Sequence, residues 1–288
     1  MADKEGAFKM NNRLKGFYSM VINVELRKEI AWMIHHGKEG HIPSAYSIID
    51  IINFLYDHFL QFDPKNPKWE DRDFFILSKG HGCAALYSVL KKHGFISQKD
   101  IEQKTSEHGI LGGHPDVTKV PGAEASTGSL GHGIGIAVGI ALGLKIKKKP
   151  NRVICLIGDG ESNEGTVWES ALVAAKYKLG NLCVIADHNG SADLVLPVTN
   201  PVEKWTAFGW NAISVDGHNM EQFECALESI EFKHNGKPNI IIARTKKGKG
   251  VDFIEENFGY WHSRVPDGQE LQKIYDALEK EMYVEVAK

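Results

Sequence analysis

The chain has 288 residues, of which 42% are hydrophobic and 25% are charged, and its formal net charge at pH 7 is −3. This composition is ordinary for a globular protein, and the small charge gives no reason to expect nucleic acid or a membrane surface as a partner. No apolar stretch approaches the roughly 18 residues of a transmembrane helix, and the start of the chain lacks the apolar core of a signal peptide. We therefore expect a cytoplasmic protein.

Apolar periodicity and turn residues predict helices that alternate with short strands. The predicted helices span residues 14–37, 45–61, 81–94, 130–147, 201–208, 219–231 and 268–282. The predicted strands run from Phe74 to Leu77, Val153 to Ile157, Leu182 to Ala186, Ala212 to Val215 and Asn239 to Ala243. This alternation is typical of an α/β fold with a doubly wound parallel sheet. We expect one domain over residues 1–288, with a core of about 15–265 and a C-terminal helix of about 268–282.

Two stretches of the chain are unusual. Residues 95–125 form a long loop punctuated by glycine and histidine, with one short helix expected inside it, and loops of this length are usually functional. The helix over 130–147 contains five glycines, each of which costs about 1 kcal/mol relative to alanine, so tight packing must compensate. Four scattered cysteines without a C-x-x-C spacing do not favour a metal site or disulfides.

The most informative stretch runs from Val153 to Gly190. A near-continuous apolar strand leads into Gly158, Asp159 and Gly160, and about thirty positions later a second apolar strand ends close to Asn189. One strand–helix–strand unit fits that interval, so the two oxygen-bearing side chains would meet at the carboxyl edge of the sheet. A carboxylate and an amide suit Mg²⁺ that also carries a diphosphate. Taken alone, Gly-Asp-Gly also fits an ordinary turn with aspartate as a helix N-cap.

This motif, with its Asn-Gly partner, resembles the thiamine diphosphate signature, and the Glu-Gly-x-x-x-Glu-x-x-x-x-Ala-x-x-x-x-Leu pattern after it resembles the transketolase family. Further blocks occur in the family's order over about residues 15–265. They are Gly40-His41, Leu77-Ser78-Lys79-Gly80-His81, Gly113-His114-Pro115, Thr127 to Gly133, Val215-Asp216-Gly217-His218, and Thr245 to Gly250 with Trp261-His262. The resemblance implies the thiamine diphosphate-binding fold of the amino-terminal, diphosphate-binding half of a transketolase.

Length sharpens that expectation, because a full transketolase carries three domains and 288 residues suffice for one large α/β domain. The resemblance therefore implies a split enzyme. We expect a separate partner subunit with the pyrimidine-binding and C-terminal domains, assembled as an α2β2 heterotetramer. Its expected reaction moves a two-carbon ketol unit from a ketose, phosphorylated or otherwise anionic, to an aldose.

The resemblance also implies roles for individual residues. His41 would transfer protons near the reacting carbon, His114 would bind a donor hydroxyl, and His81 and His262 would contact the cofactor diphosphate and the inner substrate channel. Cleaving a ketose beside its carbonyl suits groups that titrate near neutrality. His132 would hydrogen-bond within its loop or touch the diphosphate, and His218 would be structural.

Cofactor and cation ligands follow from the same resemblance. The cation, Mg²⁺ with Ca²⁺ or Mn²⁺ as alternatives, would be held by Asp159, Asn189 and the backbone carbonyl of Ser191. The cofactor-binding set is expected to be His81, Gly128, Ser129, Leu130, Gly158, Asp159, Gly160, Glu161, Glu164, Asn189 and His262. Within it, Leu130 would contact the cofactor rings, and Glu164 would lie at a subunit interface.

The chain departs from the family pattern in two places. Residues 42–46 place larger side chains after His41 than the usual sequence, which predicts an altered donor preference, and residues 191–197 replace the usual loop after the asparagine. Alternatives therefore stay open. The chain could be the α subunit of a 2-oxo acid dehydrogenase, another thiamine diphosphate-dependent carbon–carbon lyase or synthase, or a catalytically silent scaffold subunit.

Overall fold

The computed structural model describes residues 12–286, with side chains described for residues 21–282. Within that part of the chain, five parallel strands form one sheet in the order β1-β2-β3-β5-β4. The strands are β1 (Phe74–Leu77), β2 (Val153–Gly158), β3 (Leu182–His188), β4 (Asn211–Asp216) and β5 (Asn239–Arg244). All five predicted strands are confirmed, and the register places Gly158 beside Asp187, so the ends of β2 and β3 are level.

Helices cover both faces of the sheet, as the doubly wound prediction requires. The longer helices are α1 (Asn12–Gly37), α4 (Cys83–Lys92), α6 (His132–Ile146), α7 (Gly165–Lys176), α9 (Met220–Glu228) and α11 (Gly268–Val286). The shorter ones are α2 (Ile42–Tyr46), α3 (Ile49–Phe54), α5 (Gln98–Glu102), α8 (Pro201–Ala207) and α10 (Asp252–Glu255). Among the described helices, none combines the length and the apolar character needed to cross a membrane.

Side-chain alternation along the central strands feeds two separate apolar cores. Ile154 and Leu156 of β2 join the core under α1, α3, α4, α9 and α11. The next residue after each of these, Cys155 and Ile157, joins the core under α6, α7 and α8 on the other face of the sheet. A strand buried on both faces explains why its sequence is continuously apolar rather than alternating. The buried Cys155 thiol behaves there as a small apolar side chain.

The prediction of one helix over 45–61 is wrong. The chain forms α2, then α3, and then one π-helical turn over Leu55–Phe59. Ser47 lies between the first two helices, and its hydroxyl donates to Asp187 Oδ2 at 2.8 Å across the protein. That contact fixes the segment at the edge of the sheet, and no periodicity in the local sequence signals it.

Packing compensates for only some of the glycines of α6. An added Cβ at Gly133 would meet the Ser78 hydroxyl at 2.4 Å, so the helix approaches β1 closely there. At Gly139 and Gly143 no heavy atom of the described chain, apart from the helix's own neighbouring backbone, lies within 4 Å of an added Cβ. Within this chain, the compensating packing expected for the glycines is therefore present at Gly133 and absent at Gly139 and Gly143.

Candidate functional site

The candidate residues collect where β1, β2, β3 and β5 end. Because parallel strands end at the same edge of a sheet, the loops after them converge. Asp159 follows β2, Asn189 follows β3, His81 lies in the turn after β1, and the Lys-Lys-Gly-Lys-Gly loop follows β5. The edge is held together by backbone contacts, among them Asp159 N–H donating to Asp187 O at 3.1 Å.

The three predicted cation ligands meet at a place we call the cation corner (Asp159, Asn189 and Ser191). Asp159 Oδ1 accepts from the Ser191 hydroxyl at 2.8 Å, and Asp159 Oδ2 accepts from the Ala192 backbone N–H at 3.1 Å. Asn189 Oδ1 accepts from the Ser191 backbone N–H at 3.1 Å. The Asp159 side chain is buried, and it has no ion pair within the described residues. A buried carboxylate held only by neutral donors is suited to a cation.

The donor set of the cation corner is one of hard oxygens. A carboxylate, an amide oxygen and a backbone carbonyl suit Mg²⁺, Ca²⁺ or Mn²⁺ better than a soft transition metal. Within the described chain, no group of three or more His, Cys, Asp or Glu side chains could hold a metal ion. These residues therefore fit a cation that takes part of its coordination from phosphate oxygens and water rather than from a full protein cage.

Glycine beside Asp159 can serve two purposes, a tight turn that needs a positive φ and close approach of the backbone to a bound group. Neither Gly158 nor Gly160 has a positive φ, so neither turn requires glycine for its backbone angles. At Gly160 no heavy atom of the described chain lies within 4 Å of an added Cβ. A missing side chain at that point leaves the backbone accessible, which agrees with the second reason for glycine there, close approach by a bound group.

Glu161 lies beneath the cation corner and connects three loops. Its Oε1 accepts from the Ser78 hydroxyl at 2.5 Å and from the Gly131 N–H at 2.8 Å, and its Oε2 accepts from the Gly158 N–H at 3.0 Å. Burial raises the pKa of Glu161, and the three donors partly oppose that effect. Because both carboxylate oxygens already bond to protein donors, the contacts place Glu161 as a support of the loops.

Three of the four candidate catalytic histidines form what we call the imidazole cluster (His41, His81 and His262). The ring centroids of His41 and His81 are 5.3 Å apart, those of His41 and His262 are 5.2 Å apart, and those of His81 and His262 are 6.1 Å apart. They come from the start of α2, the turn after β1 and the segment after α10, which are far apart in sequence.

The imidazole cluster favours neutral rings. Burial, together with the nearby His262 and His114, lowers the pKa of His41 from 6.5 to about 4. Burial followed by the charge of Lys79 lowers the pKa of His81, and burial followed by Lys247 lowers that of His262. With a pKa of about 4, His41 does not titrate near neutrality, so that expectation from the sequence is wrong for this ring, because burial disfavours its charged form. The unprotonated rings can still accept hydrogen bonds and protons.

Two buried polar atoms at the start of α2 have no partner in the described chain. They are His41 Nδ1 and the Ser44 hydroxyl oxygen. An unpaired buried polar atom costs about 1 to 3 kcal/mol, so such atoms usually face a ligand or ordered water. His41 belongs to the imidazole cluster, and the backbone carbonyl of Ser44 accepts from Lys79 Nζ at 3.1 Å. The unpaired atoms fit a polar bound group or ordered water beside the cluster.

The fourth histidine reaches the same region from the long loop. The His114 ring lies so close to Gly128 that an added Cβ there would meet its Cδ2 at 2.8 Å, and Gly128 has a φ of +145°. Any side chain at Gly128 would displace His114. Next to it, Ser129 is exposed and Leu130 is half-buried, while His132 Nδ1 lies 3.0 Å from Leu130 O, which is the within-loop role expected of it.

Two features expected from the sequence lie away from these clusters. Glu164 is exposed before α7, and its Cβ packs against Gly131. The larger side chains after His41 are all buried, with Ile42, Ala45 and Tyr46 in the apolar core. Their burial gives no support to the altered donor preference expected from the sequence, because the α2 helix turns these side chains inward, and that preference stays a prediction.

Sequence reasoning missed a lysine pair at the centre of the edge. Lys79 is buried and donates to Asp187 Oδ2 at 2.5 Å, and Asp187 also accepts from Ser47, Asn189 and Thr245. Burial opposes ionisation of Asp187, but the charge of Lys79 holds its pKa below the usual range. The network fixes the ends of β3 and β5. The signal in the sequence was the lysine of Ser-Lys-Gly-His, two residues beyond the end of the apolar strand.

Lys247 is the second missed residue. Its side chain is buried and has no ion pair within the described residues, although its Nζ lies 5.8 Å from the centroid of the Phe258 ring. Burial and the charge of Lys79 lower its pKa to about 8, with partial opposition from Asp159 and Asp187. A buried ammonium beside an aspartate-held cation site is suited to bind an anion. The sequence hid it among three lysines of one loop.

Comparison with known proteins identifies the family. Residues 24–262 match the family model of the transketolase thiamine diphosphate binding domain. The chain belongs to the transketolase family. It is 37% identical over 253 residues to one subunit of the apulose-4-phosphate transketolase from Phocaeicola vulgatus, and the match covers 86% of this chain and 89% of that protein. It is 38% identical to a 6-deoxy-6-sulfo-D-fructose transketolase subunit from a Clostridium strain, covering 75% of this chain and 80% of that protein.

Solved transketolases share the fold. The transketolase of Campylobacter jejuni matches with a TM-score of 0.79 and 28% identity, over 96% of this chain and 48% of that one. The chain is also 37% identical to the human transketolase over 251 residues, and this match covers only 39% of the human protein. The chain thus spans less than half of these long transketolases and most of the two proteins named as subunits.

Proposed function

We propose that this chain is the diphosphate- and cation-binding subunit of a two-component transketolase, active with a separate subunit that carries the pyrimidine-binding and C-terminal domains. The pair would transfer a two-carbon ketol unit from a ketose to an aldose. The observation that carries the proposal is the meeting of the cation corner and the imidazole cluster at one edge of the sheet.

Thiamine diphosphate, when bound, supplies the electron sink for breaking the carbon–carbon bond. Asp159, Asn189 and the Ser191 carbonyl would hold Mg²⁺, with Ca²⁺ or Mn²⁺ as alternatives, and Lys247 would face the diphosphate as an anion ligand. The remaining proposed cofactor contacts are His81, Gly128, Ser129, Leu130, Gly158, Gly160 and His262, whereas Glu161 and Glu164, which the sequence also placed in this set, are left out because of their positions. The unpaired Ser44 hydroxyl and the accessible backbone at Gly160 support a polar group at this position.

The four histidines would serve the sugar and the cofactor in different ways. His41, whose pKa is held near 4, is unprotonated at neutral pH and can accept the proton of a substrate hydroxyl. His114 would bind a donor hydroxyl beside Gly128, whereas His81 and His262 would contact both the diphosphate and the inner channel. These assignments divide proton transfer from cofactor binding.

An exposed apolar face supports the need for a partner subunit. On α6 and α7 the large exposed apolar side chains are Ile136, Ile146, Leu172, Val173 and Tyr177. Gly139 and Gly143 lie along α6 with open space outside them. In the loop after β3, which also carries Ser191 of the cation corner, three more apolar side chains are exposed: Leu194 (68%), Val195 (89%) and Leu196 (59%). Faces of this kind mark protein–protein contacts, and we propose that they join this chain to its partner in an α2β2 heterotetramer.

The names of the subunit relatives support an anionic sugar as donor. One relative is named for apulose-4-phosphate and another for 6-deoxy-6-sulfo-D-fructose. We propose that this chain, with its partner, acts on a ketose carrying a phosphate or sulfonate, although the buried side chains of α2 do not select among them. The cytoplasmic location expected from the sequence stays a prediction.

Reconstitution tests the proposed function. The full chain is purified alone and together with the product of a neighbouring open reading frame of roughly 300 residues, and ketose cleavage is measured with thiamine diphosphate and Mg²⁺. We expect no ketol transfer by this chain alone and turnover by the pair. Turnover by the isolated chain, free of partner, would contradict the split enzyme, and pyruvate decarboxylation without ketol transfer would favour the 2-oxo acid dehydrogenase alternative.

A matched pair of variants locates the partner surface. Gly139→Arg fills open space on α6, where replacing glycine also favours the helix by up to about 1 kcal/mol, so the free chain should fold normally. We expect it to abolish co-purification with the partner. Gly268→Arg, at an equally open glycine at the start of α11, is the control and should assemble as the unaltered chain does. Normal assembly of Gly139→Arg would remove this face from the interface.

A further inference from the structure

The loop after β5, which carries Lys247, is hydrogen-bonded to a network of side chains from other elements. Arg27 on α1 donates from Nη1 and Nη2 to the two carboxylate oxygens of Asp50 on α3, at 2.9 and 2.7 Å. Asp50 Oδ2 also accepts from His218 Nδ1 at 2.8 Å. None of these three side chains belongs to a cofactor or cation set given above. We call them the Arg27–Asp50–His218 network.

Both ends of the network hold the backbone around Lys247. At one end, the Lys246 N–H donates to His218 Nε2 at 3.0 Å. At the other end, Arg27 Nε donates to Lys249 O at 3.0 Å. The peptide between these two contacts therefore has little freedom, and the Gly248 N–H adds a bond to Pro43 O at 3.0 Å.

The contacts also fix the state of the His218 ring. Because Nε2 accepts a backbone N–H, it carries no proton, so Nδ1 carries the proton and donates it to Asp50. Burial opposes ionisation of Asp50, but the charge of Arg27 and the bond from His218 hold its pKa well below the usual range. The carboxylate of Asp50, ionised at neutral pH, therefore orients the His218 ring, and the ring in turn holds the loop backbone at Lys246. Hydrogen bonds of this kind commonly orient the residues that contact a ligand directly.

We propose that the Arg27–Asp50–His218 network positions Lys247 for anion binding, with His218 as the positioning residue that acts through the Lys246 backbone. This inference rests on the proposed function, because it takes Lys247 to be a ligand of the cofactor diphosphate. The network gives the loop a defined place before the anion binds. It also explains why an Asp-Gly-His turn at the end of β4, on the edge strand, contributes to a site at the centre of the sheet.

A double-mutant cycle on the assembled complex tests the inference. The variants are His218→Phe, which keeps a ring but removes both nitrogen contacts, Lys247→Met, which keeps the length but removes the charge, and the combination of the two. Thiamine diphosphate is titrated with excess Mg²⁺ by calorimetry. A positioning role makes the two effects non-additive, because a misplaced ammonium and an absent one lose the same interaction.

We expect Lys247→Met to weaken thiamine diphosphate binding about thirtyfold and His218→Phe about tenfold, on the scale of single charged hydrogen bonds. In the Lys247→Met background, His218→Phe should change the affinity less than about twofold. His218→Gln can offer an amide oxygen to the Lys246 N–H, and it should recover most of the lost affinity. The matched control is His234→Phe, since His234 is also half-buried and contacts one backbone carbonyl, Lys149 O, at 2.9 Å.

Each outcome separates the positioning role from the proposed function. If Lys247→Met weakens binding and His218→Phe does not, the network does not position Lys247 while the cofactor site stands. If the double variant loses affinity by the product of the two single fold-changes, His218 supports the fold only, and the positioning role is overturned. If Lys247→Met binds as the unaltered protein does, Lys247 is not an anion ligand, and the inference fails with that assignment. Should His218→Phe not fold by circular dichroism, His218→Asn takes its place in the same cycle.

Discussion

The cation corner and the imidazole cluster lie at the same edge of the sheet, and each has a buried charge in or beside it that forms no ion pair within the described residues. At the cation corner, the buried carboxylate of Asp159 is held by hydroxyl and amide donors alone. Beside the neutral imidazole cluster, the buried side chain of Lys247 carries the opposite charge. Each region on its own would be a costly arrangement in a protein interior. Together they match one ligand that carries both a cation and an anion.

The difference also separates binding from chemistry. Oxygen ligands at the cation corner can fix a metal-bound diphosphate but cannot move protons at neutral pH. Neutral imidazoles can accept protons but hold a metal-bound anion only weakly by themselves. Substitutions in the two regions should therefore produce different kinetic signatures.

The largest effect is expected for the histidines assigned to substrate. In the assembled complex, His41→Ala combined with His114→Ala should lower turnover by about 10² to 10⁴, because general-base assistance and a hydroxyl contact are both lost. The dissociation constant for thiamine diphosphate should change less than about twofold, since neither ring is assigned to the diphosphate. Initial rates and calorimetric titration give the two numbers. His108→Ala, in an exposed part of the same long loop as His114, is the control; full activity of the double variant would show that the family's roles do not apply here.

At the cation corner we expect the reverse signature. Asp159→Ala removes the charged ligand, so the affinity for thiamine diphosphate with Mg²⁺ should fall about a hundredfold, on the scale of a lost charged contact, while the fold survives. Calorimetry on the assembled complex measures the affinity. Asp193→Ala removes an equal charge from an exposed position in the neighbouring loop after β3 and should bind normally. Unchanged affinity of Asp159→Ala would remove this residue from the site.

Sequence reasoning predicted that Asp159 and Asn189 come together because the signal is local, and their binding of a cation stays a prediction. A buried parallel strand is continuously apolar, so the end of the run locates the ligand, and Asp159 and Asn189 follow such strand ends. All five strands were predicted for the same reason. The rule fails where a segment is fixed from far away, as for residues 45–61, where Ser47 bonds to Asp187 on another element.

The supports of the site were the least predictable part. Lys247 is one of three lysines in a loop that reads as solvated, and only the structure shows that its side chain is buried. The Arg27–Asp50–His218 network joins residues from α1, α3 and the end of β4, so no local pattern contains it. Likewise, the glycines of α6 read as a packing requirement, whereas Gly139 and Gly143 face open space on the outside of the chain.

A smaller effect is expected for the histidines assigned to both the cofactor diphosphate and the inner substrate channel. His81→Ala and His262→Ala should each weaken thiamine diphosphate binding about tenfold, because each removes one contact to a charged group, and should lower turnover as well. Plots of initial rate against cofactor concentration separate the two effects. His58→Ala, at an exposed ring outside the edge of the sheet, serves as the control. A variant that loses turnover but keeps cofactor affinity would move that histidine into the substrate group with His41.

The smallest effect concerns stability against pH and follows from the buried, neutral state of His41. Burial lowers its pKa from 6.5 to about 4 in the folded chain, so between these values the unfolded chain binds a proton that the folded chain does not. The free energy of unfolding must then fall as the pH drops from about 6.5 to about 4, with no further contribution from this residue below that window.

The variant His41→Asn removes this contribution to the pH dependence of stability. Denaturant unfolding of both chains at several pH values should show the unaltered chain losing stability relative to the variant across this window. Because burial is the largest cause, the loss should persist in about 1 M salt, where exposed charges are screened. A stability difference that stays constant from neutral pH down to pH 4 would show that His41 is not held neutral by burial, and the imidazole cluster would lose its assigned proton acceptor.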